Sequence, residues 1–274
     1  MSETDESIGP GSAGAAAKPV ALARWLADPI TLTLVYLVIV SAVLVAFPQI
    51  DIGMAGLFRT ADGGFALSHV NGLVLLRQAG ILALALLGLT PLLVLILKLA
   101  RPQSPCLWPP SSMIFLALSL LVGPGLIVNL WLKPEFGRAR PVDVTQFGGN
   151  LHFTRLWEVS TACTDNCSFP SGEGSSAVWL MALAFIVPLR WRVPTLVVTG
   201  GFAFALSLNR MAFGGHFLSD VLVAWGLTFL TILVINRFVL VRPPAWLKDE
   251  ILERRLSEAG HWLRAPFRRR GGID

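Results

Sequence analysis

The chain alternates between long apolar runs and short polar connections. A helix that crosses a bilayer needs about 20 consecutive, mostly apolar residues. Runs near this length predict six transmembrane helices, at residues 30–47, 81–99, 113–132, 175–189, 193–208 and 218–235. Arg190, Trp191 and Arg192 separate the fourth run from the fifth, so we expect two spans joined by a tight turn rather than one long helix.

Two segments outside these runs are amphipathic. Residues 51–80 set apolar residues among polar ones, which predicts a segment lying in the membrane interface. Residues 246–263 place apolar residues at helical spacing opposite a charged face, which predicts a helix lying on the inner leaflet; a plain solvated tail is the alternative. Pro91 and the Gly-Pro-Gly sequence at 123–125 predict kinks inside the second and third spans. The fold class that follows is all-α: a polytopic bundle of six transmembrane helices with amphipathic interfacial helices.

The composition supports a membrane protein and divides the chain into three regions. Of its 274 residues, 54% are hydrophobic and 14% are charged, whereas a soluble domain carries about 25% charged residues. Residues 1–18 are small, polar and acidic and lack the cationic start of a cleaved signal peptide, and we predict a disordered cytoplasmic N-terminus over residues 1–25. Residues 26–240 form the predicted six-span domain, and residues 241–274 form a basic, amphipathic cytoplasmic tail.

The distribution of Lys and Arg predicts the orientation of the bundle. The loop after the second run, the turn after the fourth and the tail are rich in these residues. Basic short loops favour the cytoplasmic side, so both termini are expected there. The net charge of +5 then suits anionic lipid headgroups rather than nucleic acid. The opposite side receives residues 51–80, 133–170 and 209–217, where the polar clusters of the chain lie.

Three polar clusters lie at the ends of the apolar runs, and their side chains suit a phosphate group. The first cluster contains Lys133 and Arg140, and the third contains Arg210. Guanidinium groups bind phosphate oxygens as a fork, while ammonium acts as a compact charge. In the second cluster, Ser171 and Gly172 precede the fourth span, where helix N-terminal amides attract an anion. Singly, each cluster also fits cations that reach water from a helix end, or an ordinary Pro-Ser helix start.

His216 and Asp220 lie about one helical turn apart at the start of the last span. Asp220 can accept a hydrogen bond from the ring N–H of His216, which would leave the other ring nitrogen free to attack. A lone histidine near a membrane interface is usually structural. A His–Asp pair with Arg210 upstream, on the same side as two other clusters, favours catalysis. The clusters together predict a membrane phosphatase that holds phosphate with three cations and attacks it with His216.

The three clusters resemble the pattern of the type 2 phosphatidic acid phosphatase family: Lys133-x6-Arg140-Pro141, Pro170-Ser171-Gly172 and Arg210-x5-His216-x3-Asp220. This family also contains lipid A phosphatases, undecaprenyl pyrophosphate phosphatases and vanadium haloperoxidases. The resemblance implies that His216 is the nucleophile, that it forms a phosphohistidine, that Asp220 orients it, and that no metal or other cofactor is required. It also implies that the phosphate oxygens are bound by Lys133, Arg140, Arg210, Ser171 and the Gly172 amide.

Two positions depart from the family pattern. Asn209 replaces the Ser that usually precedes the third-cluster Arg, and Glu173 replaces the His that usually protonates the leaving oxygen. Three interpretations of Glu173 stay open. It is the general acid, in which case Glu173→Gln abolishes turnover; it contacts an amine or sugar hydroxyl of the substrate; or the enzyme is impaired. The Ser-Gly-Glu sequence resembles some bacterial lipid A phosphatases, which favours lipid A over phosphatidylglycerophosphate, phosphatidate and undecaprenyl pyrophosphate.

The expected activity is hydrolysis of a lipid phosphomonoester by a bacterial inner-membrane protein whose active site faces the periplasm. Transfer of the phosphate group to another lipid or sugar would use the same residues. A non-catalytic lipid binder is favoured only by the replacement of the usual His by Glu173, and the same replacement disfavours haloperoxidase activity. A transporter would fit the hydropathy but would leave the order and spacing of the polar residues unexplained. The sequence does not indicate an oligomeric state.

Cys163 and Cys167 lie just before the second cluster, and we predict a disulfide between them because an oxidising periplasm permits it. With His152 they supply too few ligands for a persuasive metal site. Further arginines on this side either bind a second phosphate of a large headgroup or pair with neighbouring acids. The arginines are Arg59, Arg77, Arg138 and Arg155, and the acids are Asp51, Asp143 and Glu158.

Overall fold

The computed structural model describes residues 27–60 and 63–270 of the chain, with side chains up to residue 265. These residues are helical apart from their loops and one isolated bridge between Val144 and Leu151. The helices are α1 (Pro29–Ala46), α2 (Gln49–Gly56), α3 (Asn71–Ala100), α4 (Pro110–Leu120), α5 (Lys133–Phe136), α6 (Gly172–Trp179), α7 (Leu183–Ile186), α8 (Leu189–Ala212), α9 (Leu218–Asn236) and α10 (Asp249–Arg270). Wider π-helical turns at Leu121–Leu132 and Arg237–Val241 continue α4 and α9, and short 3-10 turns cover Ala66–His69, Pro141–Asp143, Thr145–Phe147, Leu180–Ala182 and Ala245–Leu247.

The prediction of an all-α polytopic membrane protein is confirmed. Within the described ranges, the helical stretches long and apolar enough to cross a bilayer are Pro29–Ala46, Asn71–Ala100, Pro110–Asp143, Leu189–Ala212 and Leu218–Val241. The remaining predicted span, at 175–189, corresponds to the shorter apolar stretch Gly172–Ile186. Large apolar side chains such as Val38 and Leu86 stay exposed on α1 and α3, as expected of helix faces that contact acyl chains. The predicted disordered region at 1–25 lies outside the described residues.

Helix α3 begins at Asn71, earlier than the predicted second span at 81–99. The apolar residues at 73–76 continue the helix without a break, so the helix starts about ten residues before the predicted span. With 30 residues, α3 is about 45 Å long, which exceeds the roughly 30 Å of a bilayer's hydrocarbon core. The first turns of α3 therefore extend beyond the spanning part and carry Arg77 toward the polar clusters.

The third span is one helical stretch whose middle is π-helical rather than α-helical. Pro124 lies inside this part, and its missing amide hydrogen interrupts the regular hydrogen bonding of an α-helix. The side-chain nitrogen of Asn129 donates to the Pro124 carbonyl at 2.7 Å. The expected irregularity at 123–125 is thus accommodated by wider turns, and it places the polar side chain of Asn129 inside an apolar helix near the first cluster.

The turn between the fourth and fifth spans lies earlier than predicted. Helix α7 ends at Ile186 and α8 begins at Leu189, so Arg190, Trp191 and Arg192 belong to the first turn of α8. A proline disfavours helical backbone in the residue before it, and Pro188 therefore ends the preceding helix.

Helix α9 lies at the centre of the bundle, where it packs against α1, α4 and α6. Its spanning stretch is 56% buried, compared with 11% for α1. Gly226 permits the close approach of α1, since a Cβ at this position would lie 2.4 Å from the Leu37 side chain. Trp179 of α6 is fully buried and donates to the Ser119 hydroxyl of α4 at 3.0 Å. These contacts pack α9 closely against α1, and α6 against α4.

The predicted amphipathic tail helix forms α10 and packs against α3 and α4 rather than extending as a free tail. Asp249 accepts a hydrogen bond from the Ser111 amide at 2.8 Å, at the N-terminus of α4. The Lys98 ammonium pairs with Glu253. Lys98 and Arg77 both lie on α3 and are about 30 Å apart along the helix, so α10 docks at the opposite end of the bundle from Arg77.

Candidate active site

The first cluster follows the end of the third span. Gly137 ends α5 with a left-handed φ of 48°, and a Cβ here would lie 2.1 Å from the Ser160 carbonyl oxygen, so glycine is required. The turn brings Arg140 back beside Lys133. Lys133 Nζ donates to the side-chain oxygen of Asn166 at 3.2 Å, and Arg140 Nη2 donates to its backbone carbonyl at 2.7 Å. Both cations therefore contact the same residue.

A disulfide encloses the loop that carries Asn166. Cys163 and Cys167 are bonded, with Cα atoms 5.5 Å apart. Asn166 lies between them and has a left-handed φ of 48°, which Asn adopts more readily than most residues. A disulfide reduces the conformational freedom of the loop it closes. The oxygen atoms that contact Lys133 and Arg140 are therefore held in place.

Ser171 and Gly172 begin helix α6. The Ser171 hydroxyl caps the helix by accepting from the Gly174 amide at 3.1 Å, and the Ser171 amide donates to the Asp220 carbonyl at 3.1 Å. Ser171 is fully buried, so its hydroxyl serves the helix cap and does not line the cavity described below. A Cβ at Gly172 would lie 2.5 Å from the side-chain oxygen of Asn129. Only glycine allows this close approach of the third span to the start of α6.

Glu173 lies between two arginines. Arg77 donates from Nη2 to Oε1 at 2.8 Å and from Nε to Oε2 at 3.1 Å. Arg210 Nε lies 3.3 Å from Oε2 without hydrogen-bond geometry, and this nitrogen has no hydrogen-bond partner among the described residues. The Arg210 side chain is only 7% exposed, and a buried donor without an acceptor is unfavourable. Arg210 thus presents an unused donor that suits an anion.

His216 is buried, and its Nδ1 lies 2.7 Å from the Ser168 carbonyl oxygen. A carbonyl can only accept, so this contact assigns the proton to Nδ1 and leaves a lone pair on Nε2. The direct hydrogen bond predicted between His216 and Asp220 is not formed, because Ser168 occupies that position and Asp220 Oδ2 lies 3.9 Å from Nδ1. Asp220 Oδ2 instead accepts from the Ser168 hydroxyl at 2.5 Å and the Phe217 amide at 2.8 Å.

The surroundings of His216 favour its neutral form. Burial lowers the pKa of His216 well below its ordinary value of 6.5, and the charges of Arg210, Arg140 and Lys133 lower it further. The Ser168 carbonyl acts in the opposite direction but is the smallest of these influences. Cations from the first and third clusters therefore act on one imidazole, which is the arrangement that the sequence predicts.

Two of the further arginines are paired with acids. Arg138 is 1% exposed and contacts Asp51 at 2.9 Å and Asp220 at 2.6 Å. For Arg138 the structure therefore favours pairing over binding of a second phosphate. Arg77 pairs with Glu173, an acid that was not among its expected partners. Arg77 also borders the cavity described next, so it stays in a position to contact a headgroup.

The clusters converge on a cavity of about 280 Å³. Its polar end is lined by Arg77, Asn129, Lys133, Arg140, Asn166, Gly172, Glu173 and His216, and its apolar wall by Ile81, Leu84, Leu180 and Leu206. The cavity therefore suits an amphiphile with a phosphorylated headgroup. In the part of the chain that the structure describes, no group of three or more His, Cys, Asp and Glu side chains forms a candidate metal site.

Three residues of the site were not expected from the sequence, namely Asn129, Asn166 and Ser168. A signal existed for Asn129, because a polar residue inside an apolar span is a candidate functional residue. Asn166 and Ser168 are ordinary polar loop residues. Their importance depends on Arg140, which is 26 positions from Asn166, and on His216, which is 48 positions from Ser168.

Comparison with known proteins identifies relatives of this chain. Residues 112–243 match the PAP2 superfamily. A lipid A 4'-phosphatase from Rhizobium leguminosarum is 41% identical over 107 residues, which cover 39% of this chain and 46% of the relative. A lipid A 4'-phosphatase from Francisella tularensis subsp. novicida is 40% identical over 116 residues, which cover 40% of this chain and 50% of the relative. The chain thus matches about half the length of these relatives.

A crystal structure of a transmembrane PAP2-type phosphatidylglycerolphosphate phosphatase from Bacillus subtilis also aligns with this chain. It aligns with a TM-score of 0.48 and 16% identity, covering 79% of this chain and 98% of that one. The sequence match at 112–243 contains all three polar clusters and the central helix α9. The resemblance recognised in the sequence is confirmed at this level: residues 112–243 match the PAP2 superfamily.

Proposed function

We propose that this chain is a membrane lipid phosphatase that hydrolyses a phosphomonoester on a lipid headgroup, with the 4'-phosphate of lipid A as the favoured substrate. The observation that carries the proposal is the environment of His216. Its Nε2 keeps a lone pair in a cavity that also contains Lys133 and Arg140, beside the unused donor of Arg210. The superfamily match and relatives named lipid A 4'-phosphatases support this choice.

The geometry supports a two-step reaction through a phosphohistidine. The three cations and the start of α6 hold the phosphate oxygens, and Nε2 of His216 attacks phosphorus as the ester P–O bond breaks. The leaving alkoxide takes a proton from solvent water and departs as the lipid alcohol. Water then attacks the phosphohistidine, which releases inorganic phosphate and restores the imidazole. The cations contribute most by neutralising charge on the transferring phosphoryl group.

We also propose that the protein lies in the bacterial inner membrane with the cavity on the periplasmic side and both termini in the cytoplasm. The basic helix α10 docks about 30 Å along α3 from Arg77, and basic segments favour the cytoplasmic side. Residues 26–240 would form the membrane domain and residues 241–274 the cytoplasmic tail. The apolar wall of the cavity would then receive acyl chains from the outer leaflet.

A panel of lipids tests the activity directly. Purified protein in detergent is incubated with lipid A, phosphatidylglycerophosphate, phosphatidate and undecaprenyl pyrophosphate, and released phosphate and product masses are measured. We expect fastest release from lipid A, and fragmentation should locate the loss at the 4' position. Addition of an acceptor lipid distinguishes hydrolysis from phosphate transfer. Absence of phosphate release or transfer with every lipid would contradict the proposal and favour a lipid binder.

Glu173→Gln tests whether this residue is a general acid or a headgroup contact. Both carboxylate oxygens accept hydrogen bonds from Arg77, so the geometry favours a role in positioning Arg77 for the headgroup. A hydrogen bond to a charged group contributes about 1.5–3 kcal/mol. Because the variant weakens the contacts that hold Arg77 for the headgroup, we expect KM for lipid A to rise about tenfold while kcat changes little. Steady-state kinetics on the purified variant measure both parameters.

The matched control for this variant is Glu135→Gln, which removes an exposed carboxylate from the first cluster and should leave both parameters unchanged. A different pattern would assign a different role. If kcat fell by about 100-fold or more at unchanged KM, Glu173 would be the proton donor instead, since general acids contribute factors of that size.

The low pKa of His216 predicts activity in mildly acidic solution. Attack requires the neutral imidazole, and a group whose pKa lies well below 6.5 stays neutral as the pH falls through that value. We therefore expect His216 to protonate only well below pH 6.5. The phosphomonoester substrate itself titrates near pH 6, so the pH profile of kcat/KM alone does not report His216. NMR shifts of the labelled His216 ring are therefore measured over the same pH range. A ring titration centred at pH 6.5 would contradict the prediction.

A further inference from the structure

A buried network of charges lies beneath the cavity. Asp51, Arg138 and Asp220 are each at most 1% exposed. Arg138 joins the two acids: Nη2 donates to Asp51 at 2.9 Å and Nη1 donates to Asp220 at 2.6 Å. The guanidinium is packed against Phe217, whose ring centroid lies 4.6 Å from Cζ, and this contact restricts its orientation.

This network reaches His216 through Ser168. The Ser168 hydroxyl donates to Asp220 at 2.5 Å, and the Ser168 amide donates to the Arg138 carbonyl at 2.8 Å. The carbonyl oxygen of the same residue then accepts from Nδ1 of His216 at 2.7 Å. The group that orients the imidazole is therefore fixed on two sides by members of the network.

Asp51 is the member of this network that lies furthest along the chain from the three polar clusters. It belongs to α2, outside the superfamily match at 112–243. Besides Arg138, its carboxylate accepts from the Ser219 amide at 2.9 Å and the Ser219 hydroxyl at 2.5 Å. Ser219 is the residue before Asp220 and lies in the first turn of α9. Asp51 thus fixes both the backbone next to Asp220 and the guanidinium that pairs with it.

We propose that Asp51 is a positioning residue for the reaction: through Arg138 and Ser219 it holds Asp220 and Ser168 in the arrangement that orients His216. The inference rests on the proposed function in that it takes His216 as the nucleophile. A buried ion pair is weak evidence for stability, because apolar replacements are often as stable. The hydrogen bonds of the Asp51 carboxylate go to Arg138 and Ser219. Arg138 pairs with Asp220 and Ser219 precedes it in the chain, and this convergence indicates a role in orientation.

The test compares Asp51→Asn with Asp143→Asn in purified full-length protein. The first variant keeps the side-chain shape but removes an acceptor and a charge from the network, while the second removes an exposed carboxylate on the same side. A small displacement of a reacting group can lower the rate by about 100-fold. We expect kcat of Asp51→Asn to fall by about this factor with KM nearly unchanged, and Asp143→Asn to match the wild type.

A second readout separates orientation of the ring from folding and from the proposed activity. The chain has 4 histidines, so ¹⁵N-labelled ring nitrogens are resolvable by NMR, and the signal lost in His216→Asn identifies His216. Wild type should show the proton on Nδ1, and Asp51→Asn should show a shift toward the other tautomer. This measurement stands even if no lipid in the panel is hydrolysed, so failure of the proposed function and failure of the inference are distinguishable.

Wild-type kcat together with an unchanged His216 ring spectrum in folded Asp51→Asn would overturn the inference. If that variant does not fold, Ser219→Ala replaces it, since this change keeps all three network charges and removes the hydroxyl that links Asp51 to the start of α9. A several-fold lower kcat with a shifted ring spectrum in Ser219→Ala supports the inference. Normal values of both overturn it.

Discussion

Replacement of His216 by Asn is expected to abolish turnover. We expect kcat/KM to fall about 10⁴-fold or more. Effects of this size are seen when the nucleophile is removed from a set of catalytic residues that act together. Among the described residues that line the cavity, His216 is the only histidine. Lys133, Arg140 and Arg210 remain in the variant, so it should still bind the lipid phosphate.

Rapid quenching in alkali followed by mass spectrometry should detect phosphate on His216 in wild type and none in the variant. The matched control is His152→Asn, because His152 is an exposed residue of the loop on the same side. This control should keep its wild-type rate. A His216→Asn protein that retained a tenth of the normal rate would show that another group performs the attack.

Replacement of Arg138 by Met is expected to destabilise the folded protein more than any surface change. The variant leaves Asp51 and Asp220 buried in one site without the guanidinium that pairs with both. Removal of one partner from a buried ion pair costs about 3–5 kcal/mol, which corresponds to a melting temperature about 10 °C lower for a chain of this size. Thermal unfolding of the detergent-solubilised protein, followed by tryptophan fluorescence, measures the shift.

The control for charge and size is Arg155→Met, which removes an exposed arginine from the same loop region. Surface substitutions of this kind usually change stability by about 0.5 kcal/mol or less. The two variants therefore separate the effect of the buried network from the general effect of losing a positive charge. Equal melting temperatures for both variants would show that Arg138 is dispensable for folding.

Much of the bundle could be predicted because helix formation in a membrane depends on local composition. Runs of apolar residues must satisfy their backbone hydrogen bonds internally, so their length predicts spans. The boundaries were less predictable. Residues 71–80 continue α3 because the apolar residues at 73–76 extend the helical run toward the N-terminus. Residues 71–80 also fit the pattern of an interfacial segment, because periodicity alone does not show where a helix leaves the membrane.

The candidate site was predictable where residues carry strong, specific chemistry. Lys133, Arg140 and His216 stood out by type and spacing, and the structure places them around one cavity. The partner of the imidazole was not predictable. A spacing of four residues suggested Asp220, yet the carbonyl of Ser168 accepts the hydrogen bond from Nδ1. Backbone carbonyls are present at every residue, so no sequence pattern identifies the one that accepts.

The helical class, the approximate spans and the chemical nature of the phosphate-binding clusters follow from local apolarity and side-chain type, so they could be derived from the residues alone. Which polar groups meet depends on how the helices pack. The pairing of Arg138 with Asp51 joins residues 87 positions apart, and that of Arg77 with Glu173 joins residues 96 positions apart. Charged side chains pair where packing brings them together, and buried ones such as Arg138 and Asp51 must be paired. Packing is a property of the whole bundle.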